Sequence, residues 1–217
     1  MINLSLVTII LISYLIGSFT TALFVNRLVN KTDPRDTGSK NLGALNTFRI
    51  TNQKRGKIPA VFAFLFVFLV DASKGAFCVW LAQQLVVGPE LMGMCLAAFF
   101  SVLGHNYSVL LKFDGGRGAA TLMGIILFLD WPMFFVWLGS VLLFMFIVEL
   151  IKPGKAKKSL FRRAVSDQII GRLIGEVVAL IPFYILGSLA FWPTLVATPL
   201  VLIRHIDRIK KQVKDYK

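Results

Sequence analysis

From Ile58 to Gly104 the chain runs for 47 residues with only three charged side chains, Asp71, Lys74 and Glu90. Ile2–Val25 carries no charge at all, Ala119–Ile151 carries only Asp130 and Glu149, and Leu173–Ile203 carries only Glu176. An α-helix needs about 20 apolar residues to cross the hydrocarbon of a bilayer, so runs of this length read as membrane helices. Composition closes the other routes. Of the 217 residues 56% are hydrophobic and 16% charged, with a mean hydropathy of +0.73. A soluble domain has about 25% charged residues. This chain has too few polar side chains to coat a water-facing surface, and far too many apolar ones to stay disordered. The expectation is an all-α, polytopic membrane protein forming a single domain over 1–217.

Charge then sets the topology. The net charge is +13, and every Lys or Arg except Lys74 falls in one of four clusters: Arg27–Lys57, Lys112–Arg117, Lys152–Arg172 and Arg204–Lys217. A basic chain can be a nucleic-acid binder, but basic clusters placed only between apolar runs follow the positive-inside pattern of cytoplasmic loops. No nucleic-acid partner is expected. Basic loops of this kind suit anionic membrane lipids or an anionic substrate. If all four clusters are cytoplasmic, the first apolar run crosses once and each of the other three is a hairpin. The hairpin turns fall at Gly88-Pro89-Glu90, at Asp130-Trp131-Pro132 and near Gly187–Pro193. That gives about seven transmembrane helices, with the N-terminus outside and the C-terminus cytoplasmic. The last two hairpins leave only about 15 residues per limb, short for a full span. A loop that dips into the membrane is tolerated where it is buried in protein or lines a wet cavity, which predicts a polar pocket on the cytoplasmic side.

The N-terminus lacks the basic stretch of a signal peptide and reads as an uncleaved first span. Cys78 and Cys95 sit in apolar runs as reduced packing residues. Asp215-Tyr216-Lys217 resembles the start of an epitope tag and is given no function. Two histidines, two membrane cysteines and no clustered carboxylates are a poor ligand set, so no metal site is expected, and neither a nucleophile elbow nor a Walker loop is present. No cofactor is expected.

Three polar segments carry the chemistry. The first cytoplasmic loop contains Gly38-Ser39-Lys40-Asn41-Leu42-Gly43-Ala44-Leu45-Asn46 followed by Arg49. Its glycines admit a close ligand, Ser39, Asn41 and Asn46 offer uncharged hydrogen bonds, and Arg49 adds a cation. An ordinary polar turn before a helix is the plainer alternative. The second loop contains Gly104-His105 and then Gly115-Gly116-Arg117-Gly118-Ala119-Ala120-Thr121. Glycines around an arginine at the start of an apolar helix suit a phosphate, which backbone amides and a guanidinium fork would hold. A flexible interhelical turn would look similar. The third segment is Arg204-His205 with Arg208 one turn on, where the alternative is a snorkelling basic helix end. Inside the membrane, Asp71 and Lys74 are three residues apart on one helical face and should pair. Glu149 and Glu176 are placed to neutralise nearby arginines.

Together these residues resemble the bacterial integral-membrane acyl-phosphate:glycerol-3-phosphate acyltransferases. That family has Gly-Ser in its first helix, as Gly17-Ser18 here, and G-S-x-N-x-G-A-x-N plus an arginine in its first loop, as Gly38–Asn46 and Arg49. Its D-x-x-K-G matches Asp71, Lys74 and Gly75, and its G-H, G-G-K-G-x-A-T and closing R-H match Gly104-His105, Gly115–Thr121 and Arg204-His205. The resemblance covers nearly the whole chain. It implies a seven-helix fold in the bacterial cytoplasmic membrane with a cytoplasm-facing site, and acyl phosphate and glycerol 3-phosphate as substrates. The product would be lysophosphatidic acid, in the first step of phospholipid synthesis. By the resemblance His205, Ser39 and Arg117 are catalytic, with His205 or a substrate phosphate as base. Gly38, Asn41, Gly43, Asn46, Arg49, His105, Gly115, Gly116, Gly118, Arg204 and Arg208 are then substrate-binding. The chain departs from the family pattern where Arg117 replaces a lysine, where Arg208 replaces an asparagine, and at Lys40 and Leu45. Those replacements leave two other readings open: a paralogue acylating another anionic or polyol acceptor, and a non-catalytic lipid-binding or transport subunit. The oligomeric state is not set by the sequence.

Overall fold

The computed structural model describes residues 4–153 and 168–216. The first apolar run forms α1 (Leu4–Ser18), which breaks at Phe19-Thr20 and resumes as α2 (Thr21–Val25), running into a π-helical turn (Asn26–Asn30). Lys31, at φ 51°, ends it. A broken helix in a bilayer must find partners for the freed carbonyls. Here Ser108 Oγ donates to Ser18 O at 2.6 Å and Lys74 Nζ donates to Phe19 O at 2.5 Å.

After the first loop comes α3 (Ala44–Arg55), a polar helix tied to the end of the first run by residues at matching four-residue intervals. Asn26 Nδ2 donates to Thr47 Oγ1 and Asn30 Nδ2 to Thr51 Oγ1, both at 2.8 Å, and Lys54 Nζ reaches Asn30 O at 2.9 Å. The remaining helices are α4 (Lys57–Leu85), α5 (Glu90–Asn106), α6 (Ala119–Leu129), α7 (Trp131–Ile151), α8 (Ile169–Val178), α9 (Leu180–Ile185), α10 (Phe191–Ile203) and α11 (Ile206–Tyr216). No strand occurs among the described residues. Among the described residues, four helical stretches are long and apolar enough to cross a membrane: Leu4–Asn30, Lys57–Leu85, Glu90–Leu111 and Trp131–Ile151. Two shorter apolar helices, α6 and α10, stand among them.

All three turns fall where Gly, Pro and Asp punctuate the sequence, but the second hairpin is lopsided rather than evenly split. Its limbs are 11 and 21 residues, because the turn at Asp130 lies much nearer the start of the run than its middle. Asp130 makes that turn abrupt. Its Oδ1 accepts from Met133 N at 3.2 Å, capping α7, and its Oδ2 accepts from Ser188 Oγ at 2.6 Å. The third hairpin has a limb broken into α8 and α9. Of the basic stretch Lys152–Arg172, residues 154–167 lie outside the described residues.

Packing follows membrane rules, with small residues between helices and large ones facing out. Ala97, Ala98, Ala82 and Ala197 are fully buried, whereas Phe62, Phe66, Leu69, Leu143 and Ile185 are exposed. Where α4 crosses α6, a Cβ on Gly75 would strike the Thr121 carbonyl and one on Gly124 the Ala72 carbonyl. That crossing brings the start of α6 against the middle of α4. Cys78 and Cys95 are free thiols, the former buried in the core with Ile9, Val79 and Trp137.

Candidate active site

The first loop is folded by its own side chains. Asp33 accepts from Arg35 N (3.0 Å), Nε (3.0 Å) and Nη2 (2.7 Å), and from Arg27 Nη2 (3.0 Å). The Arg35 hydrogen bond, with Arg27 adding to it, holds the Asp33 carboxyl far below the usual carboxylate range. Further along, Asn46 is completely buried. Its Oδ1 accepts from Ser39 N (2.8 Å), and its Nδ2 donates to Pro34 O (3.0 Å) and Thr37 O (3.1 Å). One amide thus closes residues 34–39 into a ring. Gly38 is needed inside it, since its φ is +68° and a side chain there would run into Asn46 Oδ1. The ring delivers the Ser39 hydroxyl to the start of α3.

The second loop is tied to α5 and to the end of α10. Gly116 N donates to His105 O at 2.8 Å. Arg204 donates from Nε to Gly116 O (3.0 Å) and from Nη2 to Gly115 O (2.8 Å), lies 3.5 Å from Asp114 Oδ1, and stacks over Tyr107 at 5.2 Å. Asn106 Nδ2 donates to Leu200 O at 2.9 Å. A Cβ on Gly115 or Gly116 would collide with the His105 backbone or ring. These glycines therefore let the loop lie flat on α5, which leaves Arg117 and the first turn of α6 facing inward.

Between the two loops lies a cavity of about 200 Å³. Ser39, Asn41, Gly43, Asn46 and Arg49 line it from the first loop and α3, and His105, Arg117 and Gly118 from the second. His205 and Arg208 close it from the chain's last turn. The opening residues of two helices are in the wall, Gly43-Ala44-Leu45 of α3 and Gly118-Ala119-Ala120 of α6. Helix N-termini present unpaired amides and a partial positive charge, which favour anions. Phe64, Phe68, Met123 and Leu45 give the same cavity an apolar part.

His205 is 1% exposed, and its Nδ1 lies 2.8 Å from Val201 O. A carbonyl can only accept, so Nδ1 carries the proton and the neutral ring offers Nε2 as an acceptor. Burial, then the nearby guanidinium of Arg172 and more weakly those of Arg117 and Arg208, pull its pKa down to about 3, against the opposing pull of the Val201 carbonyl. Arg117 is likewise pulled down to about 10, by burial first and then by Arg208, Arg204 and Arg172. Cationic groups crowded together in this way make the cavity electropositive, which favours anions.

Nearly the whole chain is matched by known proteins. The model of the family described as "Glycerol-3-phosphate acyltransferase" matches residues 7–215. The chain belongs to the glycerol-3-phosphate acyltransferase family. Its relatives include the glycerol-3-phosphate acyltransferase of Colwellia psychrerythraea, 32% identical over 208 residues that cover 95% of this chain and 92% of the relative. Another is that of Coxiella burnetii, 31% identical over 210 residues and covering 95% of each chain. The fold is also that of PlsY (YgiH), an integral membrane glycerol 3-phosphate acyltransferase solved in a glycerol 3-phosphate form. The TM-score is 0.70 at 23% identity, covering 98% of this chain and 94% of that one. PlsY solved in a lysophosphatidic acid form matches with a TM-score of 0.69. This member of the family is therefore a multi-pass membrane protein.

Set against the residues that the motifs single out, the geometry divides them. Ser39, Asn41, Gly43, Asn46, Arg49, His105, Arg117, Gly118, His205 and Arg208 meet at the cavity. Gly38, Gly115, Gly116 and Arg204 do not line it. Their task is to shape the loops, and Arg204, expected at the substrate, spends its donors on the Gly115 and Gly116 carbonyls. Asn46 lines the cavity but uses both ends of its amide inside the loop. Two charged residues join the wall without being expected there, Asp71 and Arg172. Asp71 pairs with Lys74 at 2.6 Å as its spacing requires, and its Oδ1 stands 4.0 Å from His105 Nδ1. Glu176 accepts from Arg172 Nε at 3.0 Å, while Glu149 accepts from Gln168 Nε2 at 2.6 Å. Among the described residues no group of three His, Cys, Asp or Glu side chains could hold a metal ion.

Proposed function

We propose that this family member transfers a fatty acyl group from acyl phosphate to the 1-hydroxyl of glycerol 3-phosphate, releasing lysophosphatidic acid and phosphate. The observation that carries the reading is the convergence of Ser39, Arg49, Arg117 and His205, drawn from three distant parts of the chain, on one cavity that also has apolar walls. Such a cavity suits two phosphates and the first carbons of an acyl chain. The reading includes seven membrane crossings in the bacterial cytoplasmic membrane, N-terminus outside, with the cavity open to the cytoplasm. The four basic clusters support that sidedness.

Acyl phosphate is a mixed anhydride with a good leaving group, so catalysis reduces to bringing two anions together and stabilising charge. The acceptor hydroxyl oxygen attacks the acyl carbon, the bond from that carbon to the phosphate oxygen breaks, and phosphate leaves with the bonding electrons. The hydroxyl proton goes to His205 Nε2 or to a substrate phosphate oxygen. Ser39 and the first turn of α3 face the donor, and Arg117 at the start of α6 draws the two phosphates together. No covalent intermediate on the protein is required.

The test is purified protein in lipid or detergent, supplied with palmitoyl phosphate and glycerol 3-phosphate, with phosphate release measured and the lipid product identified by mass spectrometry. Acyl-CoA serves as a parallel donor. Lysophosphatidic acid formed from acyl phosphate alone is the expected result. Turnover from acyl-CoA instead, or no product from a folded preparation, refutes the reading.

A further inference from the structure

Arg172 belongs to none of the motifs, and the reaction as written does not use it. It lies in the first turn of α8, where Gly171 and Gly175 press the helix backbone against α7. Among the described residues its guanidinium is held by the Nε bond to Glu176 Oε1 at 3.0 Å. Nη2 is shut off from solvent and has no hydrogen-bond partner among the described residues. Leaving a buried charged donor unmade costs on the order of 1–3 kcal/mol, so such a group asks for an acceptor that arrives from outside the protein. The residue lines the same cavity as Arg117, Arg208 and His205.

Glu176 is completely buried, one helical turn from Arg172 and outside the cavity lining. It is placed to hold the guanidinium from behind. Apolar walls for an acyl chain come from α3, α4 and α6 through Leu45, Phe64, Phe68 and Met123. The arginine group around His205 comes from elsewhere, from α8, α11 and the loop before α6. The acyl-bearing substrate and the acceptor therefore have different parts of the wall to use.

We propose that Arg172 is a substrate-binding residue of the acceptor subsite: its guanidinium, on the cavity wall with Arg117, Arg208 and His205, takes the phosphate of the acceptor, and Glu176 is the positioning residue that aims it. This rests on the acyl-transfer reading above. The ligand class is a phosphate monoester dianion with a neighbouring hydroxyl, and a neutral polyol such as glycerol is disfavoured because it brings no charge to the guanidinium of Arg172 or Arg117.

The test compares wild type with Arg172→Gln, Arg172→Lys and Glu176→Gln. A double variant, Arg172→Gln with Glu176→Gln, avoids leaving the Glu176 carboxylate buried alone. Calorimetric binding of glycerol 3-phosphate and of inorganic phosphate is read beside KM for each substrate. In Arg172→Gln and in the double variant, Kd and KM for glycerol 3-phosphate rise about ten- to a hundredfold, the loss expected for charged hydrogen bonds. KM for acyl phosphate moves by less than about threefold, and Arg172→Lys recovers part of the loss, since it keeps the charge without the fork. Glu176→Gln alone raises the acceptor KM while kcat is nearly kept. A folded double variant with wild-type affinity for both probes overturns the proposal, as does a rise confined to acyl phosphate. Wild type that fails to turn over defeats the reaction itself, and the inorganic phosphate titration still decides whether Arg172 binds phosphate.

Discussion

Lys74→Met should be among the most damaging single changes outside the cavity, because two buried groups depend on one ammonium. Lys74 Nζ donates to Asp71 Oδ1 at 2.6 Å and to Phe19 O at 2.5 Å, and stands 5.5 Å from the centre of the Phe19 ring. The two charged side chains are 5% and 4% exposed. Removing the ammonium leaves a carboxylate buried with only Thr21 Oγ1, at 3.1 Å, to donate to it. It also leaves the carbonyl at the break between α1 and α2 unpaired. Breaking a buried ion pair from one side costs about 3–5 kcal/mol. Replacing both partners by apolar groups of similar size is often close to neutral, so Asp71→Leu with Lys74→Met should cost only about 1–2 kcal/mol, mostly for the orphaned Phe19 carbonyl. The expected coupling is therefore at least about 2 kcal/mol, well above the additive limit of about 0.5 kcal/mol. Equilibrium unfolding in mixed micelles, followed by tryptophan fluorescence, measures all four corners of the cycle. Losses that simply add would show that the pair is not what holds the broken first helix to α4.

Three further outcomes follow from the cavity. His205→Ala should lower kcat about a hundredfold or more if Nε2 is the base, with the variant still folded, whereas normal turnover assigns the proton to a substrate phosphate. Arg117→Lys should keep activity within about tenfold of wild type, and Arg117→Ala should lose more than that, since the first keeps a cation at the start of α6 and the second leaves a phosphate unpaired; equal activity in wild type and the alanine variant removes Arg117 from the site. The third is a pH dependence of stability. His205 has a pKa of about 3 when folded, against 6.5 for a free histidine, so below 6.5 the unfolded chain takes up a proton that the folded protein refuses. Its neutral form therefore contributes no pH dependence above 6.5, and stability is lost as pH falls from there towards 3, by at most about 1.4 kcal/mol per pH unit. His205→Gln should flatten thermal stability between about pH 6 and pH 4.5, and an unchanged slope would contradict the burial and charge argument.

What could be read from the sequence was whatever the bilayer forces to be local. Gly88-Pro89, Asp130-Trp131-Pro132 and the Gly187–Pro193 stretch mark turns because a membrane helix must stop where its residues no longer suit lipid or helix. Asp71 and Lys74 pair because two charges one turn apart in an apolar run have no cheaper solution. The polar loops were legible as one candidate site by residue type, and ten of their residues do meet at one cavity. Roles within the loops were not legible. Ser39 and Asn46 are alike in kind, but one faces the cavity while the other is consumed by Pro34, Thr37 and Ser39. Arg204 and Arg208 are four residues apart and both basic, but the first is pulled onto the Gly115 and Gly116 carbonyls. Arg172 was invisible because its importance is tertiary. Only the packing of α8 on α7 brings it beside residues 33 positions later in the chain.

The crowding of guanidinium groups also bears on how a histidine so weakly basic could serve as a base. With the cavity free of anions, burial and then the charges of Arg172, Arg117 and Arg208 disfavour protonation of His205, opposed by the Val201 carbonyl. An incoming phosphate dianion neutralises those same charges, so the cost of protonating His205 falls as the substrates bind. Proton acceptance is thereby tied to the presence of the anions whose reaction requires it. On this argument the extra arginines do more than raise affinity. Deleting Arg172 should weaken acceptor binding and at the same time make His205 more basic in the free protein, so the two effects have opposite signs on the rate. A KM that rises while kcat holds nearly steady is the pattern they produce together.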